Sequence, residues 1–188
     1  MGADIWLFCE VCTVESGEKV WFPEELEGWD DPRDYELFYL LGGIRGYENS
    51  SQDTYPPIAP CKGLPGDLNP MTVNDDRTSL EVAEAVSYYT LKELKASPYS
   101  GIMRIKGWVD EDEFRRYNPG APIRRGLGQH FDWVHPDAPP WKHEGLVLRE
   151  WNGILNGNLN FLVRQMEKIK TDRQIYSDES IRIVFWIA

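Results

Sequence analysis

No stretch of the sequence approaches the roughly 20 consecutive apolar residues that a membrane-spanning helix needs. Met1-Gly2-Ala3-Asp4 carries no basic run, so no secretory signal is expected. Positive charge is in short supply: 20 Lys and Arg stand against 31 Asp and Glu, a net charge of −11. That balance excludes a broad electrostatic grip on nucleic acid, which requires a basic face to displace counterions from phosphates. It equally disfavours an anionic membrane surface. It leaves room for a local anion pocket, because net charge describes the far field and not one cleft. Cysteine is scarce and odd in number, at Cys9, Cys12 and Cys61, which rules out a complete disulfide framework. There is no Gly-x-Ser-x-Gly, no phosphate-loop signature, no internal repeat and no linker. The 188 residues therefore read as one domain, 1–188.

What is present in excess is aromatic: 8 Trp, 9 Tyr and 7 Phe, 13% of the chain. With 16 Gly and 13 Pro, the composition implies a ring-lined core or pocket and much ordered loop. Residues 3–14 read as a strand, turned at Glu15-Ser16-Gly17-Glu18 into a partner at Lys19-Val20-Trp21-Phe22. On that strand Cys9 and Cys12 fall on opposite faces, so Cys9-x-x-Cys12 reads as buried thiols and not as a zinc knuckle.

A helix is predicted to start with Asp31 as cap and Pro32 in its first position. It carries Leu37, Phe38 and Leu41 on its apolar stripe and stops at Gly42-Gly43, with one of the two glycines left-handed. Residues 44–78 show no period and are stiffened by Pro56, Pro57, Pro60, Pro65 and Pro70, as expected of an ordered functional loop. Thr78 or Ser79 is expected to cap a helix over Leu80–Val86, followed by a short helix over Thr90–Lys95. Ile102–Val109 is strand-like, Asp110–Tyr117 a short helix, and 118–143 a second proline-rich loop. The longest helix is expected on a stripe from Trp151 through Ile154, Leu155, Leu159, Leu162 and Met166 to Ile169, interrupted near Asn156-Gly157. Gly153-x-x-x-Gly157 reads as close backbone packing. Ile181–Ile187 is a near-continuous apolar strand of the kind found centrally in sheets. The fold expected is α+β: a small, mainly antiparallel sheet from both chain termini, packed against helices, with long ordered loops.

Several of these segments resemble a widespread family of small bacteriophage- and prophage-encoded proteins of unassigned function. The resemblance rests on the Ala3-Asp4-Ile5 opening and Arg33-Asp34-Tyr35-Glu36-Leu37-Phe38. It continues through Gly63-Leu64-Pro65-Gly66-Asp67, Tyr88 with Thr90-Leu91-Lys92-Glu93-Leu94, Gly107-Trp108-Val109 and the closing Arg182–Trp186. Many relatives carry a His-Ser pair where this chain has Glu84 and Ala85, and many end the last strand on an acid where this chain has Ile187-Ala188. Both departures lean away from an enzyme. The resemblance implies a phage gene product acting in the cytoplasm of an infected bacterial host.

All three histidines fall in one stretch. His130-x-Asp132-x-x-His135 offers imidazole and carboxylate donors of the type a metal uses, with His143 beyond. The spacing matches no metal signature, so the stretch reads first as a loop, with no metal or cofactor expected. The acidic runs at Asp30-Asp31, Asp75-Asp76 and Asp110-Glu111-Asp112 precede helical signals and suit helix N-termini. Arg45 opens the first long loop and Lys62 lies within it, while Tyr88 and Trp108 are rings near loops. Cations beside aromatic faces suit a small anionic ligand with a planar base: the ring stacks and the cation neutralises phosphate. The expected ligand site is thus Arg45, Lys62, Tyr88 and Trp108. The expected function is a phage counter-defence protein that sequesters a small nucleotide-derived immune signal. The alternatives are an acidic protein–protein inhibitor or nucleic-acid mimic, and a metal-assisted hydrolase using His130–His143. The sequence permits a homo-oligomer.

Overall fold

The computed structural model describes residues 3–30, 33–44, 55–73, 77–116 and 133–188. β1 (Ile5–Glu15) and β2 (Glu18–Glu24) form the N-terminal hairpin. α1 (Tyr35–Gly42) and α2 (Arg77–Glu81) precede β3 (Ala85–Thr90) and α3 (Leu91–Ala96). β4 (Ile102–Val109), α4 (Glu111–Arg116), β5 (Trp133–Val134) and β6 (Val147–Ile154) follow. α5 (Gly157–Asp172) and β7 (Ile181–Ile187) complete the chain order. Two antiparallel sheets result, one in the order β2-β1-β7-β3 and one in the order β5-β4-β6. The α+β expectation holds, and the strands from both ends of the sequence share one sheet. The second sheet is a finding that the sequence reading did not contain. Among the described residues no helix is long and apolar enough to cross a membrane.

β7 lies between β1 and β3 and is buried along its whole length. Its inward side chains, Ile181, Ile183, Phe185 and Ile187, join one apolar cluster with Ile5, Leu7, Cys9 and Val11 of β1 and Leu37, Phe38 and Leu41 of α1. Leu159, Leu162 and Met166 of α5 and Ile105, Val109 and Trp151 of the second sheet belong to the same cluster. Each such side chain stabilises the fold by roughly 1.5–3 kcal/mol relative to exposure. Burial at Cys9 pushes its thiol far above the ordinary cysteine range, as expected of an inert core residue. Cys12 lies on the other face, so the two thiols do not converge.

The outward face of the same sheet is also covered. Residues 61–73 form a strap across it, in which Asp67 and Asn69 reach Trp21 and Thr72 reaches Glu10, and at Ser79 the Trp186 indole donates to Oγ at 2.9 Å. That cover is why Val184 and Trp186 are buried although they point away from the helices. Cys61 to Gly63 run along the edge of β3, where Lys62 N donates to Ser87 Oγ at 3.1 Å and Gly63 N to Val86 O at 3.1 Å.

Three local readings need correction. The α1 cap is Asp34, whose Oδ1 accepts from Leu37 N at 3.0 Å. Asp31 and Pro32 lie outside the described residues. Asp34 is fixed in that role because its Oδ2 accepts from the side-chain amides of Asn156 and Asn158. The far end is as expected, with Gly43 left-handed and its N–H bonded to Tyr39 O.

The stretch Leu80–Val86 is not a helix. α2 is one turn, and Ala85–Thr90 is a strand whose burial alternates residue by residue. Helix-forming Glu and Ala locally outweighed a period-two pattern of Ser87 and Tyr89 inward, Tyr88 outward. The long helix begins only at Gly157, with Asn156 as cap accepting from Leu159 N at 2.8 Å. Trp151 and Ile154 belong to β6 instead. A Cβ on Gly157 would meet nothing within 4 Å, so close packing is not its role.

Candidate functional site

Tyr88 stands on the outward face of the β7–β3 pair, partly exposed. Two cations flank it. Lys62 Nζ lies 4.3 Å from the Tyr88 ring centroid, and Arg182 Cζ lies 5.7 Å from it. Both distances fall within the range of cation–π attraction. Lys62 reaches around the edge of β3, so its ammonium also lies 5.0 Å from the ring of Tyr89 on the inward face. Its ion-pair partner is Glu93, at 2.7 Å. Glu93 is fixed by the α3 capping box, in which Thr90 N donates to Glu93 Oε2 and Glu93 N donates to Thr90 Oγ1. Burial works against the Glu93 charge, but the Lys62 and Thr90 hydrogen bonds outweigh it and hold this carboxyl below its ordinary range.

Arg182 is the residue that sequence reasoning missed. It is 3% exposed, and its guanidinium lies over the Trp21 ring with Cζ 3.7 Å from the centroid. Nε donates to Glu10 Oε2 at 2.8 Å, and Nη2 forms an ion pair with the same oxygen at 2.8 Å. Nη1 donates to Asp67 Oδ1 at 2.6 Å, and Nη2 to the Asp67 carbonyl at 3.2 Å. The second Asp67 oxygen, Oδ2, accepts from Trp21 Nε1 at 2.8 Å. Glu10, fully buried, takes further hydrogen bonds at Oε1 from Thr72 Oγ1 and Asn69 N. The signal for this site was a single arginine inside the otherwise apolar Ile181–Ile187 run, a position where an unpaired cation would be costly.

The remaining expected residues separate. Trp108 belongs to the second sheet, where it stacks on His143 with centroids 4.1 Å apart and planes 4° from parallel. Its Nε1 donates to Pro136 O at 2.8 Å. Its described partners are thus His143 and Pro136, and not Lys62 or Tyr88. Arg45, His130 and Asp132 lie outside the described residues. His135 packs edge-on against Tyr55, 5.4 Å between centroids, and burial lowers its pKa despite the nearby Asp137. Among the described residues no group of three or more His, Cys, Asp or Glu could hold a metal ion.

A shallow cleft of about 310 Å³ lies between the end of β2 and α5, lined by Glu24, Glu27, Lys168, Asp172 and Arg173 among others. It shares no residue with the Tyr88 site, and its cations are paired, Lys168 with Glu27 and Arg173 with Glu24. Compared with known proteins, the chain matches no family model, no curated protein and no solved structure.

Proposed function

We propose that the protein is a non-catalytic binding protein that captures a small anionic molecule bearing a planar base. On its resemblance to phage-encoded proteins, it acts as a counter-defence factor that sequesters a nucleotide-derived immune signal. The observation that carries the reading is Tyr88 with Lys62 and Arg182 both placed against its ring. A base stacks on the exposed part of the ring, and the Lys62 ammonium exchanges Glu93 for a ligand phosphate. The site stands on a strand edge next to a capped helix, so its parts are held before a ligand arrives, which limits the ordering cost of binding.

Titration calorimetry with a panel of linear and cyclic nucleotides tests the reading. A charged hydrogen bond is worth roughly 1.5–3 kcal/mol. Lys62→Ala is therefore expected to weaken the best panel member by about tenfold to a hundredfold. Tyr88→Ala is expected to weaken it by a further factor of ten or so, from lost stacking. Failure of every nucleotide to bind the wild-type protein would overturn the reading. Mass spectrometry of small molecules released on denaturing protein recovered from immune-activated cells then separates sequestration, which returns the signal intact, from cleavage.

A further inference from the structure

Arg182 Nη1 and Trp21 Nε1 each donate to a different oxygen of one carboxylate, at 2.6 and 2.8 Å. Two donors from β7 and β2, the strands on either side of β1, aimed at the two oxygens of one group, are the geometry with which proteins hold an oxyanion. The two donors differ in kind from the group that fills them. Arg182 and Trp21 are 3% and 8% exposed and belong to the sheet, whereas the Asp67 side chain is 58% exposed and belongs to the strap. The sheet half is preset without Asp67: Glu10 pairs with the guanidinium at Nε and Nη2, and the Trp21 ring lies 3.7 Å from its Cζ. Asp67 sits at a turn over residues 65–68, closed by Leu68 N to Pro65 O at 3.2 Å. The preceding Gly66 has nothing within 4 Å of where a Cβ would stand, so the turn faces open space at that position.

We propose that the Arg182–Trp21 pair is an oxyanion seat for a phosphoryl group, which Asp67 fills as an internal stand-in and vacates when ligand binds. The seat adjoins Tyr88, so a phosphoryl group on Arg182 and a base on Tyr88 belong to one ligand. Asp67 acts as a competitor built into the chain. It keeps the guanidinium and the indole N–H bonded in the empty protein, and it raises the threshold that a ligand must exceed. Burial works against the Asp67 charge, but the Arg182 and Trp21 hydrogen bonds outweigh it and hold this carboxyl below its ordinary range, as they would favour a bound anion. The inference takes its ligand class from the function proposed above, but the seat is tested without any nucleotide, so the two fail separately.

The probe is inorganic phosphate, titrated at constant ionic strength against wild-type protein, Asp67→Ala and Asp67→Asn. The readouts are tryptophan emission and melting temperature. Asp67→Ala is expected to melt lower than wild type in chloride and to recover several degrees in phosphate. Its half-saturation is expected at least tenfold below that of wild type. Asp67→Asn keeps the shape and removes the charge, and it is expected to fall between the two. It decides the matter if Asp67→Ala does not fold. Adding Trp21→Phe to either variant should weaken phosphate by at least threefold, read by melting temperature. Phosphate affinity in Asp67→Asn equal to that of wild type would overturn the seat, leaving the contact a structural latch. Acetate restoring Asp67→Ala as well as phosphate does would overturn the phosphoryl assignment.

Discussion

Glu10 of β1 and Arg182 of β7 stand directly opposite each other in the strand register, and both side chains are withdrawn from water. The pair joins strands 172 positions apart in sequence. A buried ion pair adds little over well-packed apolar residues, because removing two charges from water consumes most of the attraction. Its loss is a different matter, since the surviving partner stays buried and charged.

Arg182→Ala is accordingly expected to cost about 3–5 kcal/mol of unfolding free energy, measured by urea denaturation. Replacing both partners, Glu10→Leu with Arg182→Met, is expected to recover most of that loss. A single mutant as stable as wild type would show that the pair is solvated in solution.

The Glu36 carboxyl is half-buried at the start of α1. Burial pushes it up to about 7, the charge of Asp34 adds to the shift, and the Asn156 amide at 3.2 Å opposes it. The unperturbed value is 4.5, so the folded state holds this proton where the unfolded state releases it. Protonation at Glu36 then stabilises the fold fully below pH 4.5, and the benefit is lost as pH rises through about 7. Glu36→Gln is expected to match wild type at low pH and to exceed it by about 1–3 kcal/mol above neutrality. Denaturation of the two proteins across this range gives the difference curve, and a flat one would place Glu36 in water.

Gly107 of β4 and Gly157 of α5 are expected to respond oppositely to alanine. A Cβ at Gly107 would lie 2.5 Å from Trp133 Cε3 and 2.9 Å from the Val134 carbonyl, so ring and backbone must both move. Gly107→Ala should cost about 1–3 kcal/mol and alter the near-ultraviolet circular dichroism of Trp133. Gly157 opens α5 into free space, and Gly157→Ala should gain about 0.5–1 kcal/mol.

Removing residues 181–188 is expected to give insoluble or non-cooperatively melting protein. β7 supplies the register for β1 on one side and for β3 on the other. Soluble truncated protein with a sharp melt would show that the hairpin and β3 pair without it.

The hairpin, β7, the C-terminal end of α1 and both ends of α3 were legible because each combines a strong local signal with a matching tertiary role. Ile181–Ile187 is apolar on both sides, and the structure covers both sides. Ala85–Thr90 was not legible, because Glu81, Ala83 and Glu84 favour a helix and only the packing of Tyr89 and Ser87 against the sheet overrules them. The second sheet was hidden for a similar reason: Trp151 and Ile154 fit a helical stripe that continues into α5, and only the cap at Asn156 separates strand from helix. At the candidate site, Lys62 and Tyr88 were legible as a cation and a ring. Arg182 was overlooked because its partners, Glu10, Asp67 and Trp21, lie far away in sequence.

The placement of β7 also sets the order in which the molecule can form. Among the described residues it is the last of seven strands, and it occupies an inner position between β1 and β3. Until it docks, among the described strands β1 has only β2 beside it and β3 has no partner. Joining segments so far apart closes a very long loop before any contact rewards the closure, which slows folding. A nascent chain therefore emerges with open strand edges and with Trp6, Phe8 and Tyr88 uncovered, the condition that favours aggregation and recruits chaperones. Synthesis rate and chaperone supply, more than the stability of the finished fold, should govern how much of this protein a cell accumulates.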